Sequence, residues 1–348
     1  MKLGQAFDPR HNALNLWRLI LATGVIFWHS FPLTGNTIDF QPAVRLLSEV
    51  WVDGFFTVSG FLITASWMRR PHLGEYWRAR FLRIFPGLWV CVAVTAFVIA
   101  PIAAAVKHSS LPLSAEFAYV VNNGLLNVFY AGINGTPKDI PWPGVWNGSL
   151  WTLVFELLCY IAVCVLGVLG LLKRQWVLPT LFVASAVWSA YVSYPTMAQQ
   201  TIPQMLARFA VVFLAGALIH QYRDAIPARW SLVALCGVIV VASGFAQNYR
   251  LIAALPLAYA IIVSGALVRR FPLRNDISYG MYIYAFPVQQ LLATLGLVSL
   301  HPTVFFLVAA LCTIPLAAAS WFVVEKRAMA LKHPKRQQVA VGTSSHLK

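Results

Sequence analysis

An arginine and a histidine, Arg18 and His29, lie eleven residues apart in the apolar stretch Leu14–Leu33. At ~100° per residue, eleven steps return to within about 20° of the same helix face, three turns and about 16 Å further along. One face of one helix thus carries a permanent cation near one end and, near the other, an imidazole that takes or gives a proton near neutral pH. Asp53, Glu156 and Arg208 also fall inside apolar stretches, each about two turns in from the end where His29 lies. Ionisable groups in such surroundings are expensive, so they face a functional cavity or pair with one another. Asp53 or Glu156 against Arg208 is the obvious structural pair. His29 is not explained that way, and Glu156 or Asp53 is a candidate to orient its ring by the base-plus-orienter logic of hydrolase triads. At the other end Arg80 and Arg83 stand three apart at a helix start, and guanidinium forks suit bidentate capture of phosphate oxygens. The competing role, surface anchoring, is the preferred one for Arg69, Arg70 and Arg78.

The elements that hold these residues are membrane spans. A mean hydropathy of +0.70, with 59% hydrophobic and 11% charged residues over 348 positions, excludes an ordinary soluble domain, where charged residues are roughly 25%. Apolar windows of bilayer-spanning length occur at 14–33, 47–67, 81–106, 149–172, 176–194, 202–221, 230–246, 251–268, 278–297 and 303–324, which gives ten spans. The fold class expected is an all-α polytopic bundle with both termini cytoplasmic. That orientation puts 21 of the 26 Lys and Arg on the inside and leaves Arg45, Lys107, Lys138 and Arg250 outside, as the positive-inside rule requires. The net charge of +15 is then accounted for by topology and anionic membrane lipid, and no nucleic-acid partner is implied.

Residues 1–326 form one membrane domain and 327–348 a basic, disordered cytoplasmic tail. The first apolar stretch is too long for a cleaved leader and remains as a span. Five scattered cysteines within spans show no metal spacing, and no metal is expected. The outer connection 107–148 is too long for a simple link, and its stretch 117–130 is a short amphipathic or re-entrant helix.

Five segments together resemble the acyltransferase 3 family of polytopic membrane acyltransferases: Arg18 through His29 (R-x10-H), Val52–Thr64 (VDGFFTVSGFLIT), Arg80–Pro86 (RFLRIFP, an R-x-x-R), Ser149–Glu156 (SLWTLVFE) and Asp276–Tyr282 (DISYGMY). The resemblance covers essentially the whole chain. It implies transfer of an acyl group, usually acetyl from acetyl-CoA, to a hydroxyl of an extracytoplasmic glycan, with His29 as the essential histidine, Arg18 its partner arginine, and Arg80 and Arg83 the donor-binding pair. Some relatives carry a fused hydrolase-like domain of SGNH type. This chain has none after its tenth span, which leaves either a separate extracytoplasmic partner protein or no need of one.

The chemistry is consistent with that likeness. The phosphates of coenzyme A cannot cross lipid, so the nucleotide stays at the inner face with Arg80 and Arg83, while the thin pantetheine arm runs past Arg18 toward His29. His29 is then the general base on the acceptor, a role worth about 10²–10⁴-fold. One continuous cavity lined by the first four spans is expected. Tyr279, Tyr282 and Phe286 make a seam on one helix face, with Tyr279 the candidate substrate contact. Trp142 and Trp146 are either interfacial belt or stacking faces for a sugar, and Arg208 is a second candidate on the acceptor side. The rival enzyme class, the other membrane-bound O-acyltransferases, lacks this pair of arginine motifs. The non-enzyme rival is a transporter or flippase of lipid-linked saccharides, since charges within spans also mark permeation routes. The location expected is the cytoplasmic membrane of a bacterium.

Overall fold

The computed structural model describes residues 1–127, 129–192, 201–268, 273 and 275–332. The cations Arg269, Arg270 and Arg274, the last residues of the fifth span and tail residues 333–348 lie outside the described residues. The ten apolar windows are each a helix: α1 Leu14–Leu33, α2 Gln41–Arg69, α3 Leu73–Val106, α5 Thr152–Val168, α6 Val177–Tyr191, α7 Ile202–Gln221, α8 Trp230–Ser243, α9 Arg250–Leu267, α10 Ser278–Thr294 and α11 Pro302–Ala330. A further helix, α4, covers Leu113–Gly124. Six of them, α1, α2, α3, α7, α9 and α11, are long and apolar enough to cross a membrane by themselves. The protein is a multi-pass helical membrane protein.

Helix ends collect as alternating crossings require. Arg18 near the start of α1, Arg83 near the start of α3 and Asp276 just before α10 are bonded to one another. Ser66 near the end of α2 accepts from Arg80, which lies one turn before Arg83 on α3. We call this arginine-rich end inner and the other outer. At the outer end the starts of α2, α7 and α9 meet through Asp53, Arg208 and Arg250.

Two packing features position the site. The first is the crossing of α2 and α7, where Gly60 faces the backbone of Phe213 and Gly216 that of Thr57. A Cβ on Gly60 would lie 1.9 Å from the Phe213 carbonyl oxygen, and one on Gly216 would lie 2.0 Å from that of Thr57. Glycine at both places lets the backbones touch, the means by which helices associate tightly in lipid.

The second is α10, which has 16 of its 17 residues buried and therefore sits in the middle of the bundle. Its polar side chains find protein partners: Gln289 donates to Ile26 O and Ser30 Oγ, each at 3.0 Å, and Gln290 donates to Trp142 O and Val145 O at 2.9 and 2.6 Å. Pro287 has no N–H to give to the carbonyl of Ile283 one turn back. Asn147 Nδ2 takes that free carbonyl at 2.8 Å. The break that Pro287 makes in the α10 hydrogen-bond ladder is thus the point where the outer connection is fastened.

That connection reaches far into the bundle. From Phe117 beside Phe97 to Gly124, whose carbonyl accepts from Trp89 Nε1, α4 runs antiparallel along α3 and descends about 10 Å. The helix expected over 117–130 is therefore placed earlier, over 113–124. Leu113 and Val121 of α4 are exposed, and Phe117 beside Phe97 is half-exposed, so this helix keeps an apolar surface of the kind that lipid covers. Residues 131–151 then dive to Tyr282, whose hydroxyl donates to Ser149 O at 3.0 Å. Helix α5 therefore starts deep inside the bundle instead of at its outer surface.

Candidate active site

The inner end holds a bridge of one carboxylate between two guanidiniums. Arg18 Nη1 and Arg83 Nη2 lie 2.5 and 2.6 Å from the same oxygen, Asp276 Oδ2. The other oxygen, Oδ1, accepts from the backbone N–H of Ser278 at 3.2 Å and caps the start of α10. Burial alone would raise the Asp276 carboxyl, but the Arg18 and Arg83 charges outweigh it and hold this group far below the usual carboxylate range. Glu325, presented by the widened turn Ser320–Glu325 of α11, approaches Arg83 Nη1 to 3.9 Å. Tyr279 lies under the Arg83 guanidinium, 5.7 Å from ring centre to Cζ, and donates its hydroxyl to Ile84 O at 2.9 Å.

Arg80 turns the other way. It donates to Ser66 Oγ at 3.2 Å and lies over the rings of Tyr76 and Tyr160, and its buried Nε has no hydrogen-bond partner. Next to it an inner-facing cavity of about 260 Å³ is lined by Ser66, Arg69, Arg70, Glu75, Tyr76, Ala79 and Lys332. Arg69 and Arg70, expected as anchors, therefore share a concave wall with Lys332. The sequence held no periodic link between residues this far apart.

Above the bridge is a cavity of about 50 Å³ lined by Arg18, Phe55, Ser59, Thr152, Glu156, Tyr279 and Tyr282, among others. Glu156 accepts from Tyr160 Oη and, at 3.3 Å, from Ser59 Oγ. It lies lower than its place in the sequence suggests, at the level of Arg18, because α5 begins deep in the bundle. Tyr282 and Thr152 hydroxyls meet at 2.7 Å.

His29 stands at the outer end of the same α10 face. Its ring meets the Phe286 ring edge-on at 5.0 Å and that of Trp142 at 6.2 Å, and its buried Nδ1 has no hydrogen-bond partner. Phe286 in turn packs against Gly148, where an added Cβ would come within 2.6 Å of the ring. Tyr279, Tyr282 and Phe286, at i, i+3 and i+7, thus run from Arg83 through the cavity to His29.

Several expectations change. The third span is not a wall of the cavity beside Arg18; α10 takes its place, and Phe286 with Gly148 closes the space below His29. Neither Glu156 nor Asp53 is bonded to the imidazole. Asp53 is fully buried in an outer ion cluster with Glu49, Arg208 and Arg250: Arg208 Nε lies 3.0 Å from Asp53 Oδ1 and Arg250 Nε 2.6 Å from Asp53 Oδ2. Arg250 Nη2 also bonds Glu49, and Tyr249 Oη bonds Asp53. Arg208 is accordingly engaged by Asp53 and Glu49. Trp146 is buried, donating to Thr136 Oγ1 at 3.0 Å, so Trp142 is the tryptophan that meets His29. Sequence reasoning quoted Asp276 only within a motif and missed it as the link between both arginines; its position just before a polar helix was the available signal.

With this geometry in hand, comparison with known proteins decides the class. Residues 11–322 match the family described as Acyltransferase domain, the acyltransferase 3 family. The chain belongs to that family. Among curated relatives in keeping with it, the "O-acetyl transferase" of Shigella phage Sf6 is 28% identical over 342 residues, covering 94% of this chain and 98% of that protein. "Nodulation protein 10" of Rhizobium leguminosarum bv. viciae is 27% identical over 359 residues, covering 92% and 94%. No solved structure matches. The family's R-x10-H and R-x-x-R segments meet here at Asp276, through Arg18 and Arg83, and its DISYGMY-type segment supplies both the carboxylate that joins these arginines and the helix whose Phe286 lies against His29. The protein is a membrane acyltransferase.

Proposed function

We propose that the protein transfers an acetyl group from cytoplasmic acetyl-CoA to a hydroxyl of an extracytoplasmic or lipid-linked glycan, in the cytoplasmic membrane of a bacterium. The observation that carries this reading is the α10 face, on which Tyr279 lies under Arg83 and Phe286 lies against His29. The phosphates of the donor suit the inner cavity lined by Arg69, Arg70 and Lys332 next to Arg80, and the pantetheine arm suits the narrow space between Arg18 and Tyr282. A space of about 50 Å³ holds a water molecule or two, so the arm enters by moving Tyr282 or Phe286 aside. At His29 the acceptor oxygen attacks the thioester carbonyl, the C–S bond breaks, and the acceptor proton passes to the imidazole and on to the departing thiolate. Direct transfer needs no acyl-histidine. Glu156, bonded to Tyr160 and Ser59, serves the donor side, away from the imidazole.

The test is thiol release and acetyl transfer by the purified protein. His29→Ala is expected to insert and melt normally and to lose roughly 10²-fold or more in rate. A well-folded His29→Ala protein with near-normal transfer removes His29 from the mechanism. Movement of lipid-linked saccharide with no thiol released from acetyl-CoA would favour a transporter.

A further inference from the structure

The positive-inside pattern makes each outer cation notable, and two of the four converge. Arg250 is held by Glu49 and Asp53, and Arg45 donates to Ala246 O at 3.4 Å. Lys107, at the outer end of α3, and Lys138, in the connection 131–151, line one cavity of about 150 Å³. Neither forms an ion pair among the described residues, and Asp139 is the acidic residue in its wall. Like charges facing one space repel, and an anion between them relieves the repulsion.

The rest of the wall is suited to a substituted anion. Ser109, Ser110, Thr136 and Asn134 offer hydroxyl and amide groups, while Trp146 and the alanines of α3 supply an apolar side. The loop is braced from within: Gly144 N donates to Pro137 O and Trp146 N to Ala131 O, both at 2.8 Å. The cavity is also registered to His29. Thr294 lines it, Gln290 one turn below grips the carbonyls of Trp142 and Val145, and Phe286 one turn below that touches His29. These three positions of α10 span about 12 Å along one face.

We propose that this outer cavity binds an anionic group of the acceptor, a phosphate or carboxylate, and so holds the saccharide while one of its hydroxyls reaches His29. The inference rests on the reading of the acceptor as an outer glycan. The anion belongs either to the saccharide itself or to the phosphate of its lipid carrier.

Lys107 and Lys138 are the outer lysines of the expected topology, so a membrane-impermeant amine-acylating reagent applied to right-side-out vesicles reads them selectively. Peptide mass spectrometry measures the labelling rate of each with glucose 1-phosphate, glucuronate, dodecyl phosphate in the vesicle, inorganic phosphate, or glucose. Thiol release is followed in the same vesicles from acetyl-CoA enclosed in their lumen, where the inner face can reach it. At ten times its dissociation constant a bound anion slows labelling of both lysines by about tenfold. Protection by glucose 1-phosphate or glucuronate assigns the anion to the saccharide, and protection by dodecyl phosphate alone assigns it to the carrier. Protection by inorganic phosphate as strong as by any of these overturns acceptor binding, as does an absence of protection. Labelling of Lys173 in place of Lys107 and Lys138 reverses the topology, and a lack of thiol release removes the acyltransferase reading of the site whatever the lysines do.

Discussion

At the outer end Glu49, Asp53, Arg208 and Arg250 come together two against two, and Arg208, Asp53 and Arg250 are 0 to 2% exposed. At the inner end Arg18 and Arg83 share the carboxylate of Asp276, Glu325 stands 3.9 Å from Arg83, and the two arginines remain 19 and 15% exposed. Beside them Arg80 and Lys332 have no carboxylate partner among the described residues. The outer set satisfies its own charges and excludes solvent, which is what buried ions need in order to be tolerated. Cationic capacity is left over at the inner set, and it opens to a cavity, which is what an anionic ligand needs. Burial and charge balance, more than the presence of charge within a span, separate a structural cluster from a binding site.

The largest effect expected from this contrast is at Asp53. Asp53→Asn leaves Arg208 and Arg250 sharing Glu49 alone, and breaking a buried ion set costs ~3–5 kcal/mol, a large part of a typical folding free energy of ~5–15 kcal/mol. The variant should show a strongly lowered melting temperature in detergent and little folded protein on size-exclusion chromatography. An Asp53→Asn protein that melts like the wild type and yet fails to transfer would break the comparison and return Asp53 to the chemistry.

A smaller and different effect is expected at Arg83. Arg83→Lys keeps the charge beside Asp276 but not the planar fork that serves Asp276 and Glu325 together. Melting should shift little, while transfer at limiting acetyl-CoA falls about tenfold, equivalent to ~1.4 kcal/mol. An unchanged Michaelis constant for the donor reassigns Arg83 to anchoring. Together the two substitutions separate loss of fold from loss of donor binding.

Which parts of this were readable in the sequence follows from the range of each signal. Apolar windows are local, and all ten became helices, with α7 matching its window at both ends. The eleven-residue spacing of Arg18 and His29 is also local, and both belong to α1. The partner of Arg208 was legible by depth counting, because Asp53 and Arg208 both lie in the outer halves of long helices. Counting failed for Glu156. It assumes that a helix begins at the membrane surface, and α5 begins beneath a connection fastened to the carbonyl freed by Pro287. Trp142 and Trp146 were indistinguishable by composition; only the fold of residues 131–151 sets one against His29 and the other against Thr136. The shared wall of Arg69, Arg70 and Lys332 joins residues more than 260 positions apart, beyond the reach of any periodicity.

The smallest effect concerns pH and sharpens the inner half of the contrast. An unfolded aspartate has a pKa of about 3.9, and Asp276 in the folded protein lies well below its ordinary value. A group depressed in this way contributes stability that is complete above the unfolded value and is lost as pH falls through the folded one. The Arg18–Asp276–Arg83 link is therefore intact throughout the neutral and mildly acidic range. The melting-temperature gap between wild type and Asp276→Asn should stay constant from pH 8 to about 5 and narrow only as the medium approaches the acid range below about 4. A gap that closes already between pH 7 and 5 would mean that the carboxylate takes up a proton near neutrality, which two guanidiniums on one oxygen do not allow. Any acid limb in the transfer rate above pH 5 then belongs to another group, and comparing that limb with the gap in the same buffers separates the two.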